Sequence, residues 1–142
     1  MDILNVLEKA TQINSVSGSE NEIRKFISDN VKKYCNELSV DAMGNLIAHK
    51  KGSGKKIMFA AHMDEIGIIV TDIDDKGFVR FSSVGGLNLR NLVNLRVRFA
   101  NGVEGVIGAE EESFKDKPAI SKLYVDLGAA DKKEAEKIVS IG

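Results

Sequence analysis

A histidine and two carboxylates interrupt an otherwise apolar stretch, IMFAAHMDEIGIIV, at residues 57–70. His62 is one of only two histidines in the chain, and Asp64 and Glu65 follow it closely. A neutral imidazole nitrogen is a good ligand for zinc or cobalt when a carboxylate accepts the hydrogen of the other ring nitrogen. Residues two apart on a strand point to the same side, so His62 and Asp64 can touch. The spacing alone leaves two interpretations open: a metal ligand with its orienting carboxylate, or a polar strand end with local hydrogen bonds.

The other candidate residues have simpler interpretations. Glu65 should point to the opposite face of the strand and serve a surface or hinge role. His49 lies among lysines, which favours a solvated turn, and the acidic run 110–112 is expected in a solvated loop, with contact to a cation or a substrate amine as the alternative. The segment 17–19 is interpreted as a loop leading to a helix cap, and Cys35 as a packed helical thiol. No serine or cysteine triad is predicted.

Two helices and a hairpin should precede the histidine. Apolar residues at helical spacing predict a helix over residues 2–13, and the capping-box pair Ser19 and Glu22 predicts a second helix that ends near Cys35. Residues 38–56 are typical of two short strands joined around Met43-Gly44-Asn45. The continuous apolar run Ile57–Ala61 then predicts a central strand that is covered on both faces, with His62 at its carboxyl end, where ligands collect in α/β sheets.

The pattern changes near Gly67, where we place a domain boundary. Short strands separated by turns are typical of a small β-barrel or sandwich, and Asn101-Gly102 is the strongest hairpin signal. A short helix capped by Asp131 should follow. The predicted strands lie at residues 68–70, 78–81, 95–99, 103–107 and 123–127. The predicted domains are therefore 1–67 and 68–142, and the first looks unfinished because one central strand does not make a sheet.

Composition excludes several classes of protein. The chain has 142 residues, 43% of them hydrophobic and 29% charged, and a formal net charge of −1. No basic face is predicted for nucleic acid, the apolar runs are too short to cross a bilayer, and MDILNVLEKA does not resemble a signal peptide. The single cysteine cannot form an internal disulfide, which favours the cytoplasm.

Several separated segments together resemble the M42 family of metallo-aminopeptidases, which includes glutamyl, leucyl and tetrahedral aminopeptidases. Their order and spacing resemble the family along the whole chain, which makes the likeness more specific than any single motif. The segments are TQINSVSGSENEIRKFI, DAMGNLIAHKKG, AAHMDEIGIIV, VGGLNLRNLVNLRV, GVEGVIG and KLYVDLGAADKKEAEKIVSIG.

The resemblance implies an α/β fold: the N-terminal part of a zinc-peptidase-like α/β/α domain, followed by an inserted small PDZ-like β-barrel dimerisation domain. It implies His62 as a metal ligand, Asp64 as the catalytic carboxylate that orients it, and two zinc or cobalt ions in the full-length protein. It also implies peptide substrates and a homo-oligomer that builds from dimers to a dodecamer. The family's other ligands have no counterpart in this chain, so we expect an N-terminal portion that by itself neither holds the ions stably nor hydrolyses peptides.

Two alternatives remain at this point. A non-catalytic oligomerisation module, or a degenerate family member, would explain the missing ligands. An endoglucanase-type glycoside hydrolase is suggested by a label that some family members carry. That chemistry needs two facing carboxylates in a sugar cleft, and the chain has no tryptophan for sugar stacking.

Overall fold

In the computed structural model, which describes residues 2–110 and 119–142, the chain divides into two compact units, residues 1–65 and 66–142. Glu111 and Glu112, two members of the predicted acidic run, lie outside the described residues. Among those that are described, helices and strands are both present, and no helix is long and apolar enough to cross a membrane.

The first unit begins with the two predicted helices, α1 (Ile3–Ala10) and α2 (Asn21–Val31). Asp2 caps α1 by accepting the amide hydrogen of Asn5. The N-cap of α2 is Glu20 rather than Ser19, and it makes no side-chain capping bond. The predicted capping box is therefore wrong. The Ser19 amide, which a capping box would leave for Glu22, instead donates to the Val16 carbonyl, 2.7 Å away, in a turn.

The predicted hairpin of the first unit is confirmed. Strands β1 (Glu37–Val40) and β2 (Leu46–His49) pair antiparallel, with Glu37 opposite His49. Asp41 shapes the connecting turn, because its Oδ1 atom accepts the amide hydrogens of Met43 and Asn45.

The predicted buried strand at Ile57–Ala61 is wrong for this chain. The segment has no strand assignment, and its apolar side chains are open to solvent, with Ile57 78% and Phe59 94% exposed. A central strand is held by ladders to its neighbours, and within residues 2–110 and 119–142 no strand pairs with this run. The core of the first unit is correspondingly small, and its buried residues are Ile23 and Ser15.

The second unit is a five-stranded antiparallel sheet in the order β3-β4-β7-β6-β5, followed by helix α3 (Lys132–Ile138). Strands and helix lie where the sequence predicted them. The strands are β3 (Gly67–Ile73), β4 (Val79–Val84), β5 (Arg96–Arg98), β6 (Glu104–Ala109) and β7 (Leu123–Asp126).

The core of the second unit lies on one face of this sheet, where the side chains of Ile73, Ile107 and Leu123 are almost fully buried. Complete burial of one such side chain stabilises a fold by about 1.5–3 kcal/mol. A β-bulge between Val70 and Asp72 inserts one residue into β3. Val70 and Ile73 consequently both face the core although they are an odd number of positions apart.

The β3–β4 turn packs closely against the start of α3. Gly77 has φ +85°, and a β-carbon there would lie 2.9 Å from the Asp131 carbonyl oxygen. Asp131 caps α3 as predicted, since its Oδ1 atom accepts the Glu134 amide hydrogen at 2.9 Å. Helix α3 adds Ala135 to the buried core.

Candidate functional site

His62 and Asp64 touch, as their spacing predicted, although they lie in an irregular segment rather than on a strand. The His62 Nδ1 atom is 3.0 Å from Asp64 Oδ1 and 2.9 Å from the Asp64 backbone oxygen. A carbonyl oxygen and an ionised carboxylate only accept hydrogen bonds, so Nδ1 carries the hydrogen when the ring is neutral. The Nε2 atom then keeps its lone pair, which is the form that a metal ligand requires.

The second oxygen of Asp64 is also engaged. The Ser17 hydroxyl donates a hydrogen bond to Asp64 Oδ2, so the carboxylate lies between Ser17 and His62. The hydrogen bond from Ser17 lowers the pKa of Asp64 below its ordinary value, and this effect outweighs the partial burial that acts to raise it. Asp64 is therefore ionised at neutral pH and able to hold the Nδ1 hydrogen of His62.

Sequence reasoning missed Ser17, which it interpreted as part of a loop and cap. The two residues are 47 positions apart, and neither helical nor strand periodicity relates positions that distant. A serine in a loop has no composition signal for such a contact. Only the fold of the first unit brings the two side chains together.

Glu65 holds the Ser17 loop beside the histidine. The Glu65 amide donates to the Ser15 carbonyl at 2.8 Å, and the Ser17 amide donates to the Glu65 carbonyl at 3.4 Å. The Glu65 side chain also accepts the Ser15 amide hydrogen at 2.9 Å, and Val16 and Glu65 form an isolated parallel bridge. Glu65 is thus exposed, as predicted, but its contacts give it a specific local role.

Gly18 allows the loop to turn away immediately after Ser17. Its φ is +93°, a left-handed conformation that favours glycine. Its amide donates to Glu20 Oε1 at 2.6 Å, which ties the turn to the residue that precedes α2.

The histidine and its carboxylate fit one ligand position of a metal site. The His62 side chain is 85% exposed, which leaves Nε2 accessible to an ion. In the part of the chain that the structure describes, however, no group of three or more His, Cys, Asp and Glu side chains could hold a metal ion. A zinc site usually takes at least three protein ligands. The described residues can therefore offer a metal one imidazole nitrogen with a carboxylate behind it, and not a complete site.

The second histidine lies elsewhere, at the end of β2. His49 Nδ1 is 3.2 Å from Glu37 Oε2, and Lys51 Nζ is 2.6 Å from Glu37 Oε1. The hydrogen bond from Lys51, followed by that from His49, lowers the pKa of Glu37. All three side chains are more than half exposed, which agrees with the predicted solvation of His49. The predicted turn is wrong, because His49 is the last residue of strand β2.

Glu110, the described member of the acidic run, belongs to a charged network on the second unit. Arg80 contacts Asp74 and Glu110, each at 2.9 Å, and Lys122 lies 3.0 Å from Glu110. The hydrogen bonds from Lys122 and then Arg80 lower the pKa of Glu110. Burial acts to raise the pKa of Asp74, but the hydrogen bond from Arg80 and those from the backbone outweigh it, so that pKa is lowered as well. These contacts link Glu110, directly after β6, to Arg80 on β4 and to Lys122 immediately before β7.

Comparison with known proteins gives consistent similarities. The profile of the M42 glutamyl aminopeptidase family matches residues 44–142. A putative aminopeptidase of Acetivibrio thermocellus is 52% identical over 99% of this chain and 43% of its own length. The lysyl aminopeptidase of Pyrococcus furiosus is 35% identical over 94% of this chain and 42% of its own length. The chain thus spans less than half of each of these curated relatives.

Solved structures have the same fold over nearly the whole chain. The TET aminopeptidase of a marine sediment thaumarchaeote has a TM-score of 0.88 at 27% identity, covering 98% of this chain and 42% of the other. The Pyrococcus horikoshii TET1 peptidase, which can assemble into a tetrahedron or a large octahedral shell, has a TM-score of 0.80 at 37% identity, covering 99% and 44%. An endoglucanase of Thermotoga maritima has a TM-score of 0.83 at 38% identity, covering 96% and 42%.

Proposed function

The chain belongs to the M42 glutamyl aminopeptidase family, and on that premise we propose that it forms part of a metal-dependent aminopeptidase that removes N-terminal residues from peptides. The observation that carries the proposal is the His62–Asp64 contact, which leaves the Nε2 lone pair of His62 available to an ion. The aminopeptidase names of the Acetivibrio and Pyrococcus relatives support the reaction class. These residues need to supply only one metal ligand if the rest of a longer protein supplies the other ligands.

In this proposal His62 ligates one of two divalent ions, zinc or cobalt, through Nε2. Bound ions of this kind supply Lewis acidity toward a peptide carbonyl and acidify water. Asp64 accepts the Nδ1 hydrogen of His62, which fixes both the tautomer and the direction of the ring. Asp64 is ionised at neutral pH, so it performs this task over the whole neutral range.

The two compact units have separate tasks in the proposal. Residues 1–65 form the N-terminal part of the catalytic α/β/α domain, and the exposed run Ile57–Ala61 becomes a central strand when the remaining strands of that domain flank it. The antiparallel sheet of the second unit is the inserted, PDZ-like dimerisation domain. Assembly of dimers into a larger homo-oligomer is supported by the structural likeness to TET peptidases.

A chimaeric protein tests the proposed activity. Residues 1–142 would replace the matched segment of the Acetivibrio thermocellus protein, to which they are 52% identical. We expect zinc- or cobalt-dependent release of N-terminal residues from peptides, abolished by His62→Ala and retained by His49→Ala, which removes the other histidine. A folded chimaera that is inactive while its parent is active would refute the proposal. The isolated 142-residue chain should release nothing, and metal-dependent release by it would contradict the expected inactivity.

A non-catalytic assembly module is the second candidate, favoured by the lack of a three-ligand group in residues 2–110 and 119–142. It predicts that the isolated chain associates without metal, which light scattering after size exclusion measures. The endoglucanase reading rests on the name of the Thermotoga maritima neighbour. Release of reducing sugar from carboxymethyl-cellulose by the chimaera would support it, and we expect none.

A further inference from the structure

The two carboxylate oxygens of Asp64 have different partners. Oδ1 accepts from His62 Nδ1 at 3.0 Å, whereas Oδ2 accepts from the Ser17 hydroxyl. A carboxylate held at one oxygen only can rotate about its terminal torsion, which is broad and has no sharp staggered minima. A second hydrogen bond, to the other oxygen, restricts that rotation. The direction in which Oδ1 faces the imidazole ring therefore depends on Ser17.

Ser17 is itself held in place by backbone contacts. Its amide donates to the Glu65 carbonyl, and the Glu65 amide donates to the Ser15 carbonyl, so the loop is fastened on both sides of Val16. The hydroxyl thus reaches Asp64 from a fixed position. Ser19, two residues later, differs in this respect, because its described hydrogen bond comes from its backbone amide to Val16.

We propose that Ser17 is a positioning residue, which fixes the Asp64 carboxylate and through it favours the Nδ1–H tautomer and the ring direction of His62, alongside the Asp64 backbone oxygen 2.9 Å from Nδ1. Ser17 touches neither substrate nor ion in this role. The functional importance of the contact rests on the proposed function of His62 as a metal ligand. The hydrogen bond between Ser17 and Asp64 involves only residues 15–17 and 62–65, and so it does not depend on that function.

The tautomer of His62 is the direct measurement of this role. Imidazole nitrogen signals of the 15N-labelled 142-residue chain would be recorded without metal at mildly alkaline pH, where histidine side chains are ordinarily neutral. The chain has only two histidines, so a His49→Gln variant assigns the spectrum. We expect Ser17→Ala to lower the ratio of Nδ1–H to Nε2–H tautomer at His62 by roughly two- to fivefold, less than the roughly tenfold upper effect of losing one direct hydrogen bond, because Ser17 acts on the ring only through Asp64.

Two variants distinguish the effect of the Ser17 hydroxyl from the effect of changing the loop. Ser17→Thr keeps the hydroxyl and should restore the wild-type ratio, and Ser19→Ala removes a hydroxyl from the same loop and should leave the ratio unchanged. A Ser17→Ala ratio equal to wild type would overturn the proposal. So would a change in Ser19→Ala as large as that in Ser17→Ala.

A double-mutant cycle covers the case in which Ser17→Ala loosens the loop as a whole. Ser17 acts through Asp64, so in an Asp64→Ala background the change Ser17→Ala should have no further effect on the tautomer ratio. An undiminished effect in that background would show that Ser17 acts by another route and would refute the proposal.

The role of Ser17 and the peptidase function can be tested independently of each other. The tautomer ratio needs neither metal nor peptide, so it can respond as expected even if the chimaera has no peptidase activity. Conversely, an active chimaera that His62→Ala inactivates, combined with an unchanged tautomer ratio in Ser17→Ala, would leave the function standing and remove Ser17 from it. In an active chimaera, Ser17→Ala should raise the zinc concentration needed for half-maximal activity by roughly threefold, a smaller effect than that of a direct hydrogen-bond partner of a ligand.

Discussion

A β-carbon on Gly108 would lie 2.5 Å from the ring of Tyr124 on the neighbouring strand. The ring has little room to move away, because it lies 4.3 Å from the Phe78 ring and the Arg80 guanidinium is 5.7 Å from its centroid. The tyrosine ring thus covers the backbone of β6 at Gly108, and a side chain at that position would have to displace the ring.

Gly108→Ala should consequently destabilise the second unit by about 1–3 kcal/mol, the usual cost of overpacking. Urea denaturation followed through the methyl signals of Leu123 and Val125 measures it. Gly86→Ala is the matched control, since a β-carbon there meets nothing within 4 Å and should change stability by less than about 1 kcal/mol. Combining Gly108→Ala with Tyr124→Ala should make the alanine at 108 nearly harmless, and an undiminished cost in that background would contradict the explanation.

Gly77→Ala should cost more than Gly102→Ala. Both glycines have similar positive φ angles, +85° and +86°, so both variants incur the left-handed penalty of about 1–2 kcal/mol. Only at Gly77 does a β-carbon also meet backbone, the Asp131 carbonyl oxygen at 2.9 Å. The difference between the two unfolding free energies measures the close approach of the turn to α3. Equal losses of unfolding free energy in the two variants would mean that the β3–β4 turn can move away from α3 without cost.

The cap of α3 should contribute measurably to stability. Asp131→Ala removes the acceptor of the Glu134 amide hydrogen and should destabilise the second unit by about 1 kcal/mol. Asp131→Asn retains a side-chain oxygen and should cost much less. The comparison uses the same urea titration, and an asparagine variant as unstable as the alanine variant would point to the charge rather than to the hydrogen bond.

The stability of the second unit should fall in acid. Asp74 and Glu110 have lowered pKa values in the folded chain, so their contribution is fully present above the ordinary values of 3.8 and 4.5 and is lost as the pH falls through the lowered folded values. Arg80→Met removes a partner of both carboxylates. Urea midpoints measured from about pH 6 to about pH 3 should therefore fall less steeply in Arg80→Met than in the wild-type chain. Parallel curves would show that the network does not cause the acid sensitivity.

Structural features that depend on residues close together in the sequence were the ones that could be predicted. The sheet of the second unit was predictable because its turns carry local signals, such as Asn101-Gly102, and because its strands are consecutive short segments. The contact of His62 with Asp64 was also local. Periodicity predicted α1 correctly as a helix but not its exposure, since Ile3 remains 70% exposed.

Two features could not be predicted, for different reasons. An apolar run such as Ile57–Ala61 predicts a strand only if other segments pair with it, and the run itself contains no information about them. The contact between Ser17 and Asp64 joins residues 47 positions apart, and no pattern of residue types connects such distant positions. Both depend on tertiary structure rather than on local propensity.

The fastening of the Ser17 loop to residues 64 and 65 also has a kinetic consequence. The hydrogen bond from Ser17 to Asp64 closes a loop of 47 residues, which contains α2 and the β1–β2 hairpin. Helices and hairpins form within microseconds, whereas closing a long loop carries an entropic cost that shorter contacts already in place reduce. The surroundings of His62 should therefore be completed late, after the intervening elements have folded, and should be among the first parts of the first unit to open.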